Sequence, residues 1–232
     1  MSSKAAKRIM SDLKLIRRSG LDKSNIFVAY DDDNIFNVKS LIIGPEDTPY
    51  NGGFYFFDIN FPKDYPSNPP KVKLMTTNKY VRFNPNLYKC GKVCLSILGT
   101  WSGPGWTQTQ TLSSILLSIQ SLLNDNPIQN EPGWEKEVGQ RSRDYINIIQ
   151  YYNIKVAVID IINFIPDGFE IFKDIMLKYM VKNIEIYRKV ISKNEELNNK
   201  VLSCFGMQLV YDLRKLEENL TILYSSYSDI YN

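Results

Sequence analysis

The chemistry open to this sequence is bounded first by what it lacks: it has no histidine and three cysteines, Cys90, Cys94 and Cys204. Without imidazole the chain can build neither a Ser-His-Asp triad nor a Cys-His pair, and no histidine can help to hold zinc. Cys90 and Cys94 stand four apart with only Cys204 to join them, too few for a four-cysteine zinc site. No G-x-x-x-x-G-K-[ST] loop and no G-x-G-x-x-G turn cradles phosphate. A metal, a nucleotide or another cofactor is therefore not expected, and any chemistry must run through another group.

The elements that must position such a group are legible in the periodicity. Residues 3 to 18 put Ala6, Ile9, Met10, Leu13 and Ile16 at helical spacing until Gly20 stops the pattern. Strand-like runs follow at about 25 to 30, 35 to 43, 53 to 60 and 71 to 75, separated by Asp31-Asp32-Asp33-Asn34, by Gly44-Pro45-Glu46-Asp47 and by a proline-rich stretch. Short links of this kind imply an antiparallel meander. Residues 76 to 108, which contain Cys90 and Cys94, carry many Gly and Pro and little periodicity, so they read as a long irregular segment over the sheet, and long ordered loops are often functional. Helical period returns at 111 to 123, with Leu112, Ile115, Leu116, Ile119, Leu122 and Leu123 on one face. A further helix is expected from about Trp134 to Tyr152. The remainder reads as helix, at 155 to 163, 168 to 192 and 207 to 224, broken near Pro166-Asp167-Gly168 and Cys204-Phe205-Gly206.

The chain has 232 residues, 44% of them hydrophobic, enough for one full core and an extension. Its 28 basic and 25 acidic residues are intermixed, so nucleic acid is not an expected partner. No apolar stretch approaches the roughly 20 residues that span a bilayer, and no signal-peptide pattern stands at Met1, so no membrane association is expected. Sparse, odd-numbered cysteines fit a reducing compartment, cytoplasm or nucleus.

The run from Phe83 to Leu98 contains Asn84-Pro85-Asn86 and, eight residues on from Asn86, Cys94-Leu95-Ser96-Ile97-Leu98. It resembles the active-site signature of ubiquitin-conjugating enzymes. Three further stretches agree in order and spacing: Gly44 to Gly53, Phe61 to Val72, and Trp106 before Thr111-Leu112-Ser113. Within that family the chain is similar to the large Z-type enzymes and, more loosely, to the conjugating domain of giant inhibitor-of-apoptosis proteins. They share Asn-Pro-Asn, the Cys-Leu-Ser-Ile-Leu run and an Asn-Glu-Pro-Gly turn, here Asn130 to Gly133.

The resemblance implies an α/β (α+β) conjugating-enzyme fold, a four-stranded antiparallel meander flanked by helices, with a catalytic core at 1–153 and a helical extension at 154–232. It implies that Cys94 accepts ubiquitin, or a ubiquitin-like protein, from an activating enzyme and passes it to a lysine of a protein substrate or to a ligase. Thiol-thioester exchange is nearly isoenergetic and needs only a thiolate, of which a free cysteine with a pKa of about 8.5 supplies a few per cent at neutral pH. Asn86 then either donates to the oxyanion or braces the loop, and both remain open. Asn84 takes the family's histidine position as a brace. The lysine gate departs from the pattern: Ser96 stands where many relatives have Asp, and in the turn after the packed helix Asn130 and Glu131 compete for the position of the family's other acid, with Glu131 the choice. Lys7 and Arg8 on the first helix, with Ser67, Asn68, Thr107 and Gln108 on two loops, correspond to the surface that meets the activating enzyme and the ligase. The polar loop residues replace the apolar anchor that ordinary RING-type ligases use. The alternative from another class is a non-catalytic scaffold of the same fold that binds ubiquitin or a ligase.

Overall fold

The structure, a computed structural model, describes residues 3–31 and 33–231, so Asp32 of the expected first turn lies outside the described residues. Four strands form an antiparallel meander in the order β1-β2-β3-β4: β1 Ile26–Asp31, β2 Asn34–Ile43, β3 Phe54–Asn60 and β4 Lys71–Leu74. Each lies within about one residue of its expected position, because alternation and turn residues agree there. In the β2–β3 register Ile43 faces Phe54, Leu41 faces Phe56 and Lys39 faces Asp58 on one side of the sheet. The other side carries Val38, Ile42, Tyr55, Phe57 and Ile59, all buried.

Helix α1, Lys4–Ser19, starts at Ser3, whose hydroxyl accepts the Ala6 N–H, and stops at Gly20 in the left-handed conformation. Its Ile9 and Leu13 enter the core. Helix α2, Leu112–Leu122, opens with a capping box in which Thr111 and Ser114 satisfy each other's backbone N–H groups. Leu112, Ile115, Leu116, Ile119 and Leu122 are buried, the face expected from the spacing.

Three expectations need correction. Helix α3, Gln140–Ile154, begins six residues after Trp134. The Glu137 carbonyl accepts from the Asn126 and Gln129 side chains instead of from a helical N–H, which fixes 134–139 as a loop. The expected helix over 168 to 192 is two, α5 Lys173–Lys182 and α6 Ile184–Lys193, broken at Asn183, whose side-chain amide donates to the Tyr179 carbonyl. Third, around the break expected at Cys204-Phe205-Gly206 stands a hairpin of β5, Val201–Cys204, and β6, Met207–Val210, so the helix expected from 207 begins only at Leu213, as α7, and runs to Tyr231. Cys204, Met207 and Leu209 point inward and Ser203, Gln208 and Val210 outward, a period of two that the short run hid.

The 153/154 boundary falls inside α3, which continues through a π-helical stretch, Lys155–Asp160, into a last turn, α4 Ile161–Asn163. The extension then crosses the sheet. Phe169 and Phe172 pack on Phe56 at 4.6 and 5.9 Å between ring centroids, and Tyr179 packs on Phe54 at 6.1 Å. Tyr187 donates to the Gly52 carbonyl at 2.9 Å. The buried apolar residues of core and extension form one cluster. No helix among the described residues is long and apolar enough to cross a membrane.

Candidate active site

The loop that carries Cys94 is tied to the sheet at Gly91. Its carbonyl accepts the Leu74 N–H at 2.8 Å, its φ is +88°, and a Cβ there would stand 2.5 Å from the Leu74 carbonyl oxygen. Only glycine permits that approach in that conformation. Beneath the loop, Phe83 packs edge-on against Tyr55 at 5.2 Å, and the buried Tyr50 hydroxyl donates to the Phe83 carbonyl at 2.6 Å.

Asn84 is fully buried. Its amide donates to the Leu122 carbonyl at 2.7 Å and to the Tyr50 hydroxyl at 3.2 Å, while its oxygen accepts the Asn86 N–H at 2.9 Å and the Asn130 amide at 3.3 Å. Such a side chain joins α2, the Asn130 turn and the active loop at one point. Asn86 and Cys94 are bound reciprocally. The Cys94 N–H donates to the Asn86 carbonyl at 2.9 Å, and the Asn86 side-chain amide donates to the Cys94 carbonyl at 2.8 Å. A primary amide has two N–H groups, so a single bond to Cys94 leaves a second donor beside the same residue.

Cys94 itself is 1% exposed, whereas acyl exchange needs an open sulfur. Burial pushes its thiol up, the charges of Lys92 and then Arg82 pull it back part of the way, and Cys90 adds to the rise. Cys90 is exposed, and burial pushes Cys204 up to about 11. Thr100, which the sequence did not single out, braces the backbone on either side of the cysteine: its hydroxyl donates to the Val93 carbonyl at 2.8 Å and accepts the Leu95 N–H at 3.0 Å. Iodoacetamide is therefore expected to label Cys90 first, Cys94 slowly and Cys204 last. Labelling of Cys94 should accelerate as pH rises beyond the ordinary thiol range, because only the thiolate reacts and a raised pKa delays its appearance. Peptide mass spectrometry would follow each site, and equal rates at Cys90 and Cys94 near neutral pH would show that burial does not shield the Cys94 sulfur.

Arg82 is the other residue missed. Its Nη2 donates to the Pro85 carbonyl at 2.6 Å and to the Glu131 carboxylate at 3.2 Å. Glu131, 27% exposed at its side chain, thus reaches the active loop through Arg82. Ser96 is half-buried at the start of a short 3-10 turn, Ser96–Leu98, and Gly103 approaches it from the returning loop. Among the described residues no group of three His, Cys, Asp or Glu side chains could hold a metal ion.

The six expected docking residues divide. Lys7, Ser67, Asn68, Thr107 and Gln108 are exposed. Arg8 is half-buried, and its guanidinium also bonds within the protein: Nε donates to Asp12 at 2.9 Å, Nη1 to the Gln108 carbonyl at 2.8 Å and Nη2 to the Gln110 carbonyl. Asp12, only 3% exposed, also accepts the Tyr65 hydroxyl and the Leu112 N–H. With the Trp106 indole donating to the Pro66 carbonyl at 2.8 Å, these bonds draw α1 and both loops together.

The family model described as ubiquitin-conjugating enzyme matches residues 8–153. The chain is 44% identical over 191 residues to "Ubiquitin-conjugating enzyme E2 Z" of Xenopus tropicalis, an alignment covering 82% of this chain and 60% of that protein. It is 54% identical over 137 residues to the Homo sapiens protein of the same name, covering 58% of this chain and 39% of the other. To "Dual E2 ubiquitin-conjugating enzyme/E3 ubiquitin-protein ligase BIRC6" of Homo sapiens it is 44% identical over 175 residues, 70% of this chain and 4% of that one. The aligned region is thus less than two thirds of the length of each of these relatives.

Proposed function

The chain belongs to the ubiquitin-conjugating enzyme family, and on that premise we propose that it accepts ubiquitin, or a ubiquitin-like protein, from an activating enzyme as a thioester on Cys94 and transfers it to a substrate lysine or to a ligase. The observation that carries this reading is the reciprocal pair of hydrogen bonds between Asn86 and Cys94, inside the region that matches the family.

In the first step the Cys94 thiolate attacks the carbonyl carbon of the activating enzyme's thioester. A new C–S bond forms, and the donor cysteine leaves as a thiolate. No base beyond water is needed, since one thiolate replaces another. The Thr100 hydroxyl, bonded to Val93 and Leu95, keeps the backbone on both sides of Cys94 in place during the exchange. In the second step a lysine amine attacks the Cys94 thioester. The C–N bond forms, negative charge collects on the carbonyl oxygen, the C–S bond breaks and Sγ departs as thiolate, while the amine gives up a proton.

Asn86 serves both open roles in this reading: one amide N–H holds the Cys94 carbonyl, and the other faces the developing oxyanion. Glu131 takes the lysine proton, its carboxylate kept near the loop by Arg82, and Ser96 borders the approach. The remaining partners are a protein substrate and, through Lys7, Ser67, Asn68, Thr107 and Gln108, the activating enzyme and a ligase, all in cytoplasm or nucleus.

Asn86→Ala separates the two roles. Loss of one oxyanion donor typically slows an acyl transfer by about a hundredfold or more. Discharge of preformed thioester to free lysine, followed in single turnover, is expected to fall by that order, with charging reduced much less. Charging and melting temperature falling as far as discharge would reduce Asn86 to a brace.

A further inference from the structure

Arg82 lies between two aromatic rings. Its guanidinium carbon stands 4.2 Å from the centroid of Tyr88, on the active loop, and 4.8 Å from that of Phe205, at the tip of the β5–β6 hairpin. Both side-chain hydrogen bonds leave from Nη2, and among the described residues the buried Nε has no hydrogen-bond partner, so stacking holds the rest of the plane. The same hairpin grips the Arg82 backbone, whose N–H donates to the Met207 sulfur at 3.1 Å, while the Tyr145 hydroxyl donates to its carbonyl at 2.9 Å.

Phe205 occupies its place against its own backbone preference. It has φ +50° and is followed by Gly206 at +69°. A two-residue hairpin turn of this kind favours Asn or Gly at the first position, and a bulky residue there is strained. Strain of that sort persists where the surroundings over-determine it. Here the Phe205 ring stacks on Trp134 at 5.1 Å and 23°, meets Tyr145 edge-on at 5.0 Å, and covers Arg82. The ring is thus fixed by the catalytic half of the chain although it arises in the extension.

We infer that Phe205 is a positioning residue for the thioester site, clamping Arg82 against Tyr88 so that the extension sets the shape and field of the Cys94 loop. The inference rests on the thioester reading of Cys94 and adds to it a contribution from beyond residue 153. Arg82 and Lys92 are the cations that favour the Cys94 thiolate against burial, Cys90 opposes them, and Glu131 partly neutralises Arg82. Of the two cations only Arg82 is seated by the hairpin.

The test uses the full chain with Phe205→Asn, which suits the turn better and exchanges the ring for a small amide. The pH profile of Cys94 alkylation, followed by peptide mass, is expected to move to higher pH, with labelling near neutral pH slowed roughly two- to fivefold, the size of one screened charge displaced by a few ångströms. Arg82→Gln is expected to do the same, Arg82→Lys to restore most of the profile by restoring charge, and the double variant Phe205→Asn, Arg82→Gln to add nothing to either. A native profile in Phe205→Asn, or additive effects in the double variant, would overturn the inference. Alkylation needs no modifier, so this outcome is independent of whether the chain can be charged by any activating enzyme.

Discussion

Mixed with a cognate activating enzyme, ATP and ubiquitin or one of its relatives, the native chain is expected to gain a single adduct that reducing agent removes, and Cys94→Ala to gain none. The effect is a complete loss, because the other thiols are ill placed to substitute. Cys90 is exposed but lies outside the Asn86 hydrogen bonds, and Cys204 is buried with a thiol pushed up to about 11. Cys90→Ser is therefore expected to charge normally. Cys94→Ser is expected to form an oxygen ester slowly and then to hold it through reducing agent, since an alkoxide is a poorer leaving group than a thiolate. Equal charging of native and Cys94→Ala chains would remove the enzymatic reading and leave a scaffold with the same fold.

How far the sequence could lead depended on the range of the interactions involved. Strands β1 to β4 and helices α1 and α2 announce themselves through local period, caps and turn residues, and the Asn84-Pro85-Asn86 and Cys94-Leu95 spacing needs no tertiary information. The hairpin at 201–210 offered only four residues per strand, and its turn begins with Phe205 where Asn or Gly would have signalled it. Loop residues 134–138, Trp-Glu-Lys-Glu-Val, are compatible with a helix, and what stops the helix is capture of the Glu137 carbonyl by Asn126 and Gln129. Arg8 and Arg82 look alike in sequence as solvated cations; their different duties arise from the Gln108 and Gln110 carbonyls in one case and from Phe205 and Tyr88 in the other. Burial of Cys94 was illegible for the same reason, since it depends on how the long loop packs.

Removal of residues after Asn153, which the sequence alone suggests would leave a folded core, is expected to unfold it. The cut falls within α3 and uncovers the face of the sheet on which Phe169, Phe172 and Tyr179 pack. Phe54 and Phe56, both fully buried, would meet water, each at a cost of about 1.5–3 kcal/mol. Leu41 and Ile43 share that face, and Tyr187 no longer donates to the Gly52 carbonyl. Their sum is comparable with the roughly 5–15 kcal/mol that holds a domain folded. In the full chain, Phe56→Ala alone is expected to cost about 3–5 kcal/mol, read as a lower midpoint in denaturant at unchanged slope. A 1–153 fragment that melts cooperatively near the temperature of the full chain would show that the sheet tolerates an open face, and the extension would then act only on the loop through Phe205. If the fragment unfolds as expected, loss of charging on truncation says nothing about recognition of the activating enzyme. The contribution of residues 154–232 to catalysis has to be measured with single substitutions in the intact chain.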